Sequence, residues 1–157
     1  MKIKTLVISL MLLLVCGSYA QTVSYSYKPL AEEGCCVDYS IAKQNSVYSI
    51  IVKVTSNSSL FLKEATMLLK TFDGEIIKLH GTAINVDSQS TNHTSGNMNS
   101  TAQFIATPAQ LESLKKGISK IRLSTSPIEH EREFKKDKIG KKLYQLFLKQ
   151  KDKDNNF

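Results

Sequence analysis

The stretch FIATPAQLESLKKGISKIRL, residues 104–123, decides the fold because it predicts a strand, a capped helix and a second strand in succession. Thr107 is a good helix N-cap, and Pro108 fits the first helical position. Gln110 stands three residues after the cap, where its side chain can reach back to the cap backbone as in a capping box. The sequence therefore predicts a helix that begins directly after Thr107.

The end of this helix is predicted by the same stretch. Apolar residues first repeat at a spacing that places them on one helical face: Leu111, Leu114 and Ile118. Gly117 can take the left-handed conformation that ends a helix. Ile121 and Leu123 then alternate with Lys120 and Arg122, so the hydrophobic period changes to that of a strand.

Several strands are predicted upstream. Residues 21–28 alternate as a half-exposed strand, residues 36–41 form a short one, and residues 47–55 read as a central strand with both faces covered. Residues 60–72 form the next strand, with a bulge near Glu64 and Ala65. Asp73 and Gly74 separate two apolar runs, which predicts a two-residue hairpin turn and antiparallel pairing of residues 67–72 with 75–80.

Between this hairpin and the capped helix lies a polar segment. Residues 87–101 contain Met98 as their only large apolar residue, which predicts a mobile surface loop. We expect partner binding either through an edge of the sheet or through this loop, in which the candidate residues are Asn92, His93, Asn97 and Asn99.

Downstream of the capped helix, two readings of one segment stay open. Ser126, Pro127 and Glu129 repeat the cap pattern and can begin a helix, whereas alternation over residues 128–134 predicts an extended segment. A helix over residues 137–150 follows, marked by apolar residues at helical spacing: Ile139, Leu143, Leu146 and Phe147.

This order of elements predicts an α+β domain. We expect a mostly antiparallel twisted sheet of five to seven strands, covered by a C-terminal helix and a short inserted helix. An all-β sandwich with helical decoration is the alternative. The single domain spans residues 21–150, and residues 151–157 form a frayed tail.

The N-terminus has the three parts of a secretory signal peptide. Lys2 and Lys4 precede an apolar run, and Ser18 and Ala20 stand where a signal peptidase reads small residues. We expect residues 1–20 to be removed and the protein to be periplasmic or secreted. A membrane anchor is the competing reading, although it needs about 20 apolar residues. Lipid attachment at Cys16, as in bacterial lipoproteins, is a minor alternative.

The charge of the mature chain bears on its partners. Loss of Lys2 and Lys4 lowers the formal net charge from +7 to +5, over 137 of the 157 residues. A moderate positive charge favours anionic surfaces, and nucleic acid is not expected for an exported protein. No later segment is apolar and long enough to span a membrane. Weak contact with an anionic surface is expected through a lysine cluster: Lys135, Lys136, Lys138, Lys141 and Lys142.

Cys35 and Cys36 are the only cysteines that remain after signal removal. They allow three kinds of chemistry: a vicinal disulfide, an intermolecular bridge, or a thiol site for a soft metal ion. Buried inert thiols or a purely structural bridge are the alternative, since free cysteine is among the most buried residue types.

No enzymatic motif is present. The sequence contains no Gly-x-Ser-x-Gly turn, phosphate loop or His-Glu-x-x-His motif. His130 stands among Glu129, Glu131 and Glu133, which is a weak pattern for holding a cation, because a charged stretch is more often a solvated face. We expect neither an enzyme, nor a cofactor, nor a metal site.

Five features together resemble the small secreted hypothetical proteins of Bacteroidetes: the signal ending in Ser-Tyr-Ala, the Lys-Thr-Phe-Asp-Gly turn, the segments 106–111 and 118–123, and Asp137-Lys138-Ile139-Gly140 before an amphipathic helix. The resemblance implies a bacterial cell-envelope location and no catalytic residues. We therefore expect a non-enzymatic binding or accessory protein of the envelope, with thiol or soft-metal chemistry at Cys35 and Cys36 as the alternative.

Overall fold

A computed structural model describes residues 22–25, 37–56, 60–88 and 98–152. The signal peptide, both mature cysteines and the tail beyond residue 152 lie outside these residues. The strands are β1 (Val23–Tyr25), β2 (Val37–Gln44), β3 (Val47–Ser56), β4 (Leu60–Phe61), β5 (Glu64–Thr71), β6 (Ile76–Ser88), β7 (Met98–Ala106), β8 (Ile118–Leu123), β9 (Thr125–Ser126) and β10 (His130–Glu133). The helices are α1 (Pro108–Ser113), a 3₁₀ helix (Leu114–Lys116) and α2 (Gly140–Asp152).

The main sheet is antiparallel and has the strand order β1-β2-β3-β7-β6-β5-β8-β10. It curls into a half-barrel, and β4 pairs with β9 in a separate two-stranded ribbon. The predicted α+β class with an antiparallel sheet is thus confirmed. The predicted count of five to seven strands is too low, because the main sheet alone has eight strands in the described part of the chain.

One face of the sheet carries the core, because alternate residues of each strand point to it. In β3 the buried apolar residues are Tyr48, Ile50, Val52 and Val54. The other face of β3, which was predicted to be covered as well, is covered only in part: Ser49 is buried there, whereas Val47 is 50% exposed and Lys53 is exposed. The opposite sheet face is therefore largely open to solvent.

The capped helix is confirmed. Thr107 Oγ1 accepts a hydrogen bond from the Gln110 backbone N–H (3.3 Å), and the Gln110 side chain accepts one from the Thr107 backbone N–H (2.9 Å). Gly117 ends the 3₁₀ turn with φ 76° and ψ 158°, so φ is positive but the conformation is not left-handed helical. Ile118 was predicted on the helical face, whereas it is the first residue of β8.

The strand predicted over residues 60–72 is interrupted between Phe61 and Glu64, and its pairing register shifts between Lys70 and Thr71 rather than near Glu64 and Ala65. The Leu62 N–H donates to the Ser124 carbonyl (3.4 Å), and the Phe61 N–H donates to the Ser100 side chain (3.0 Å). These bonds direct β4 away from the main sheet, so that Phe61 packs edge-on against Phe104 with ring centroids 5.9 Å apart. The β4–β9 ribbon thereby lies over one end of the core face.

The hairpin between β5 and β6 pairs antiparallel as predicted, but its register differs by one residue: a two-residue turn would place Lys70 opposite Ile77, whereas Lys70 lies opposite Ile76. Its turn has three residues rather than two, because Thr71 N–H donates to the Glu75 carbonyl (2.9 Å) across Phe72, Asp73 and Gly74. Gly74 takes φ +93°, a conformation that glycine tolerates without strain.

Lys116 fixes this turn to the 3₁₀ helix. Its ammonium lies 2.8 Å from carboxylate oxygens of both Asp73 and Glu75. Hydrogen bonds from Lys116 and Thr71 lower the pKa of the Asp73 carboxyl to about 2. The turn and the helix thus form one connected end of the molecule.

The predicted loop over residues 87–101 is shorter than its composition indicates. β6 continues to Ser88 and β7 begins at Met98, and these two residues pair with each other. Polar residues are compatible with strand positions here because their side chains find hydrogen-bond partners: the buried Ser100 hydroxyl accepts the Phe61 backbone N–H, and the Asn99 side chain accepts from Thr55 Oγ1. Only residues 89–97 lie outside the described strands.

The segment after Leu123 is extended, which decides between the two readings left open. β10 pairs antiparallel with β8, with His130 opposite Leu123. Helix α2 begins at Gly140 rather than at residue 137, because Asp137 serves as its cap: the carboxylate accepts the backbone N–H groups of Gly140 and Lys141, both at 2.8 Å. The helix continues to Asp152, two residues beyond its predicted end.

Asp137 also joins α2 to the sheet. Its Oδ1 accepts the backbone N–H of Ile118 at 3.0 Å. A Cβ atom on Gly140 would lie 2.7 Å from the Ile118 nitrogen and 2.8 Å from Gly117 Cα, so only glycine permits this approach. Helix α2 then buries Leu143 and Phe147 in the core, where Phe147 meets Tyr48 edge-on with centroids 5.2 Å apart.

Candidate functional site

The predicted binding residues fall mostly outside the described chain. Asn92, His93 and Asn97 belong to residues 89–97, of which the structure describes none. Asn99 lies in β7, and its side-chain oxygen accepts a hydrogen bond from Thr55 Oγ1 at 2.8 Å. Asn99 therefore links β3 to β7, and a binding site that it would share with the other three stays a prediction.

The cysteine pair Cys35 and Cys36 also lies outside the described residues. Thiol or soft-metal chemistry there stays a prediction.

His130 and the neighbouring glutamates do not form a site together. His130 is fully buried and faces the core beside Leu123, whereas Glu131 pairs with Arg122 on the opposite sheet face. Burial, with the nearby charge of Arg132, lowers the pKa of His130 to about 4. Among the described residues, no group of three or more histidine, cysteine, aspartate or glutamate side chains is arranged to hold a metal ion.

The lysine cluster predicted near the C-terminus forms an exposed surface. We call Lys135, Lys136, Lys138, Lys141 and Lys142 the lysine surface; all five are exposed. The segment that carries them is fixed at two points, because Phe134 is buried before it and Leu143 after it. None of the five forms an ion pair with a residue that the structure describes.

Asp137 stands within the lysine surface but is engaged by the backbone. Partial burial of its carboxyl opposes ionisation, yet backbone N–H donors led by Ile118 and Lys141 outweigh burial and lower its pKa. The carboxylate is thus directed at the start of α2 and at Ile118, and it forms no ion pair with the five lysines.

A second charged arrangement lies on β8 and β10, at one edge of the sheet. Glu131 accepts a hydrogen bond from Arg122 Nε at 2.6 Å and lies 2.5 Å from the Lys120 ammonium. Lys120 also contacts Glu133 at 3.1 Å, and Arg122 lies 3.8 Å from Glu129. Hydrogen bonds from Lys120 and Arg122 lower the pKa of Glu131. The sequence signal for these ion pairs was the alternation of acidic residues from 129 to 133.

The open sheet face has a shallow depression of about 190 Å³. This is below the roughly 300–1,000 Å³ of typical small-molecule sites. Its lining residues come from β5, β6 and β8: Leu68, Leu69, Lys70, Ile76, Lys120 and Arg122. The size and the mixed lining favour surface contact over enclosure of a substrate.

Comparisons with known proteins do not assign this chain to a family: no protein-family model, curated protein or solved structure gives a significant match. Within the described residues, no helix has the length and apolar character needed to cross a membrane.

Proposed function

We propose that this protein is a non-enzymatic binding or accessory domain of the bacterial cell envelope, exported by residues 1–20, that attaches to anionic membrane surfaces through the lysine surface. The single observation that carries the proposal is this set of five exposed lysines on a segment anchored in the core at both ends.

The packing of α2 supports electrostatic contact rather than insertion. An amphipathic helix that inserts into a membrane must keep its apolar side available. In α2 that side is occupied, since Leu143 and Phe147 are fully buried against the sheet and the 3₁₀ helix. The helix therefore presents lysines and few large apolar groups to a partner.

The expected strength is moderate and depends on salt. Each lysine near an anionic lipid surface contributes about 1 kcal/mol, and the contribution falls off within a Debye length. Five lysines held on one segment therefore favour reversible attachment at low ionic strength and release at high ionic strength.

Vesicle flotation tests the proposal. The purified protein should float with phosphatidylglycerol vesicles at low salt, but not at high salt or with neutral phosphatidylcholine vesicles. Lys141→Glu/Lys142→Glu should weaken binding by roughly tenfold or more. The matched control is Lys53→Glu/Lys78→Glu, which makes the same change in net charge on the exposed sheet face. Equal losses in both variants would contradict a localised surface, and no flotation of the unaltered protein would contradict the proposal itself.

A further inference from the structure

Strand β10 is the last strand on its side of the main sheet in the described part of the chain. Its hydrogen-bonding direction follows from one bond, because the Phe134 N–H donates to the Ser119 carbonyl of the β8 side at 2.7 Å. Bonding direction alternates along a strand, so even-numbered residues of β10 face β8. The N–H and C=O groups of Glu131 and Glu133 consequently point away from the sheet.

Strand β8 gives an independent check of this alternation. The N–H of Ser124, the residue directly after β8, donates to the Thr66 carbonyl of β5 at 3.0 Å. The backbone N–H and C=O groups of the even-numbered residues of β8 therefore point toward β5. Odd-numbered residues of β8 then face β10, in agreement with the Ser119–Phe134 bond. Both strands thus indicate an outer edge formed by the backbone of Glu131 and Glu133.

The side chains along this edge are acidic on the open sheet face. Glu129 and Glu133 have side chains that are 54% and 74% exposed. Their cationic neighbours Lys120 and Arg122 lie on the inner side, in β8. The outermost column of the sheet therefore presents carboxylates to anything that approaches the edge.

A second copy of the same edge does not fit. In an antiparallel pair of two β10 strands that keeps the two sheet faces continuous, Glu131 meets Glu131 and Glu129 meets Glu133. Like charges directly opposite each other in a sheet are destabilising. The edge thus disfavours self-association and favours a partner of opposite charge.

We propose that the β10 edge binds an extended peptide strand that carries lysine or arginine at alternate positions. The peptide adds a ninth strand through main-chain hydrogen bonds to Glu131 and Glu133, as in β-strand addition. Basic side chains four residues apart on the peptide lie opposite Glu129 and Glu133. This site is separate from the lysine surface and does not depend on it.

The test uses a short end-blocked peptide that alternates lysine and valine, added to the ¹⁵N-labelled protein. The amide signals of Glu131 and Glu133 should shift, and hydrogen exchange at these two amides should slow by about tenfold. The same peptide N-methylated on its pairing edge should bind at least about tenfold more weakly, because it loses main-chain donors. Binding of the methylated peptide with equal strength would overturn strand addition.

A charge exchange tests the side-chain part. Glu129→Lys/Glu133→Lys should reverse the preference, so that a glutamate–valine peptide now shifts the Glu131 and Glu133 amides and the lysine peptide does not. Glu64→Lys, at an exposed position of β5, is the control and should keep the original preference. Acidic peptides that bind the lysine surface instead would shift amides near residues 135–142, so the two proposals fail separately. An unchanged preference in the charge-exchange variant, or no shift with the lysine peptide, would overturn the proposal.

Discussion

His130 enters the core as a neutral imidazole. Its side chain is fully buried, and its backbone N–H donates to Thr125 Oγ1 at 3.1 Å. Burial and the charge of Arg132 hold its pKa near 4, against 6.5 for the unperturbed group. From sequence, the same residue stood in a charged stretch, and only the register that places it opposite Leu123 shows that it faces inward.

Stability should therefore fall as the pH drops from about 6.5 to about 4. In this window the unfolded chain binds a proton at His130 and the folded chain does not, so unfolding becomes more favourable. The full effect of this residue is about 3 kcal/mol. In urea denaturation across this range, His130→Gln should show a shallower loss of stability than the unaltered protein. Carboxyl groups titrate in both proteins and cancel in the difference, so parallel curves would contradict the assignment.

At the scale of elements, the sequence predicted where the capped helix starts but not which elements contact each other. Thr107 and Gln110 lie next to the backbone groups that they cap, so their roles were readable from spacing alone. The joint between β8 and α2 was not readable, because it brings Gly117 and Ile118 against Asp137 and Gly140, about twenty residues later. One local signal was overlooked, namely that asparagine favours tight turns. Asn45 and Ser46 form the two-residue turn that joins β2 to β3, and both take positive φ.

Gly140→Ala tests the joint between β8 and α2, because two effects of this substitution change the free energy of unfolding in opposite directions. Helix propensity favours alanine over glycine by up to about 1 kcal/mol. The added Cβ would lie 2.7 Å from the Ile118 nitrogen, and backbone atoms cannot move away cheaply. We expect a net loss of about 2–3 kcal/mol in the free energy of unfolding.

The control for this variant is Lys142→Ala, which changes an exposed position of the same helix. It should alter the free energy of unfolding by less than about 0.5 kcal/mol in the same urea titration. A stabilised Gly140→Ala protein would show that α2 does not approach Gly117 and Ile118 this closely.

At the scale of the whole molecule, the class of fold was predictable and the order of strands was not. Alternation within each strand identifies strands and their buried face, which was sufficient for an α+β antiparallel domain. Strand order depends on pairing between distant segments, such as Ile50 with Phe104. No local pattern encodes that pairing. The separation of β4 from the main sheet was not predictable for the same reason. The groups that bind Phe61 and Leu62 belong to Ser100 and Ser124, which are far away in sequence.

Phe147 tests how the two layers hold together. It is fully buried in α2 and meets Tyr48 of β3 edge-on. Phe147→Ala should lower the free energy of unfolding by about 3–5 kcal/mol in urea denaturation. Gln145→Ala, at an exposed position of α2, should change it by less than about 0.5 kcal/mol. A small effect of Phe147→Ala would show that α2 is not a required layer of the core.

The position of α2 in the chain has a consequence for biosynthesis. All eight strands of the main sheet precede Gly140–Asp152, so a growing polypeptide has made its entire sheet before it has made the helix that covers it. Domains generally fold as units once their parts are available. The nascent chain should consequently remain open until translation has passed this helix, a delay that would suit the export proposed above.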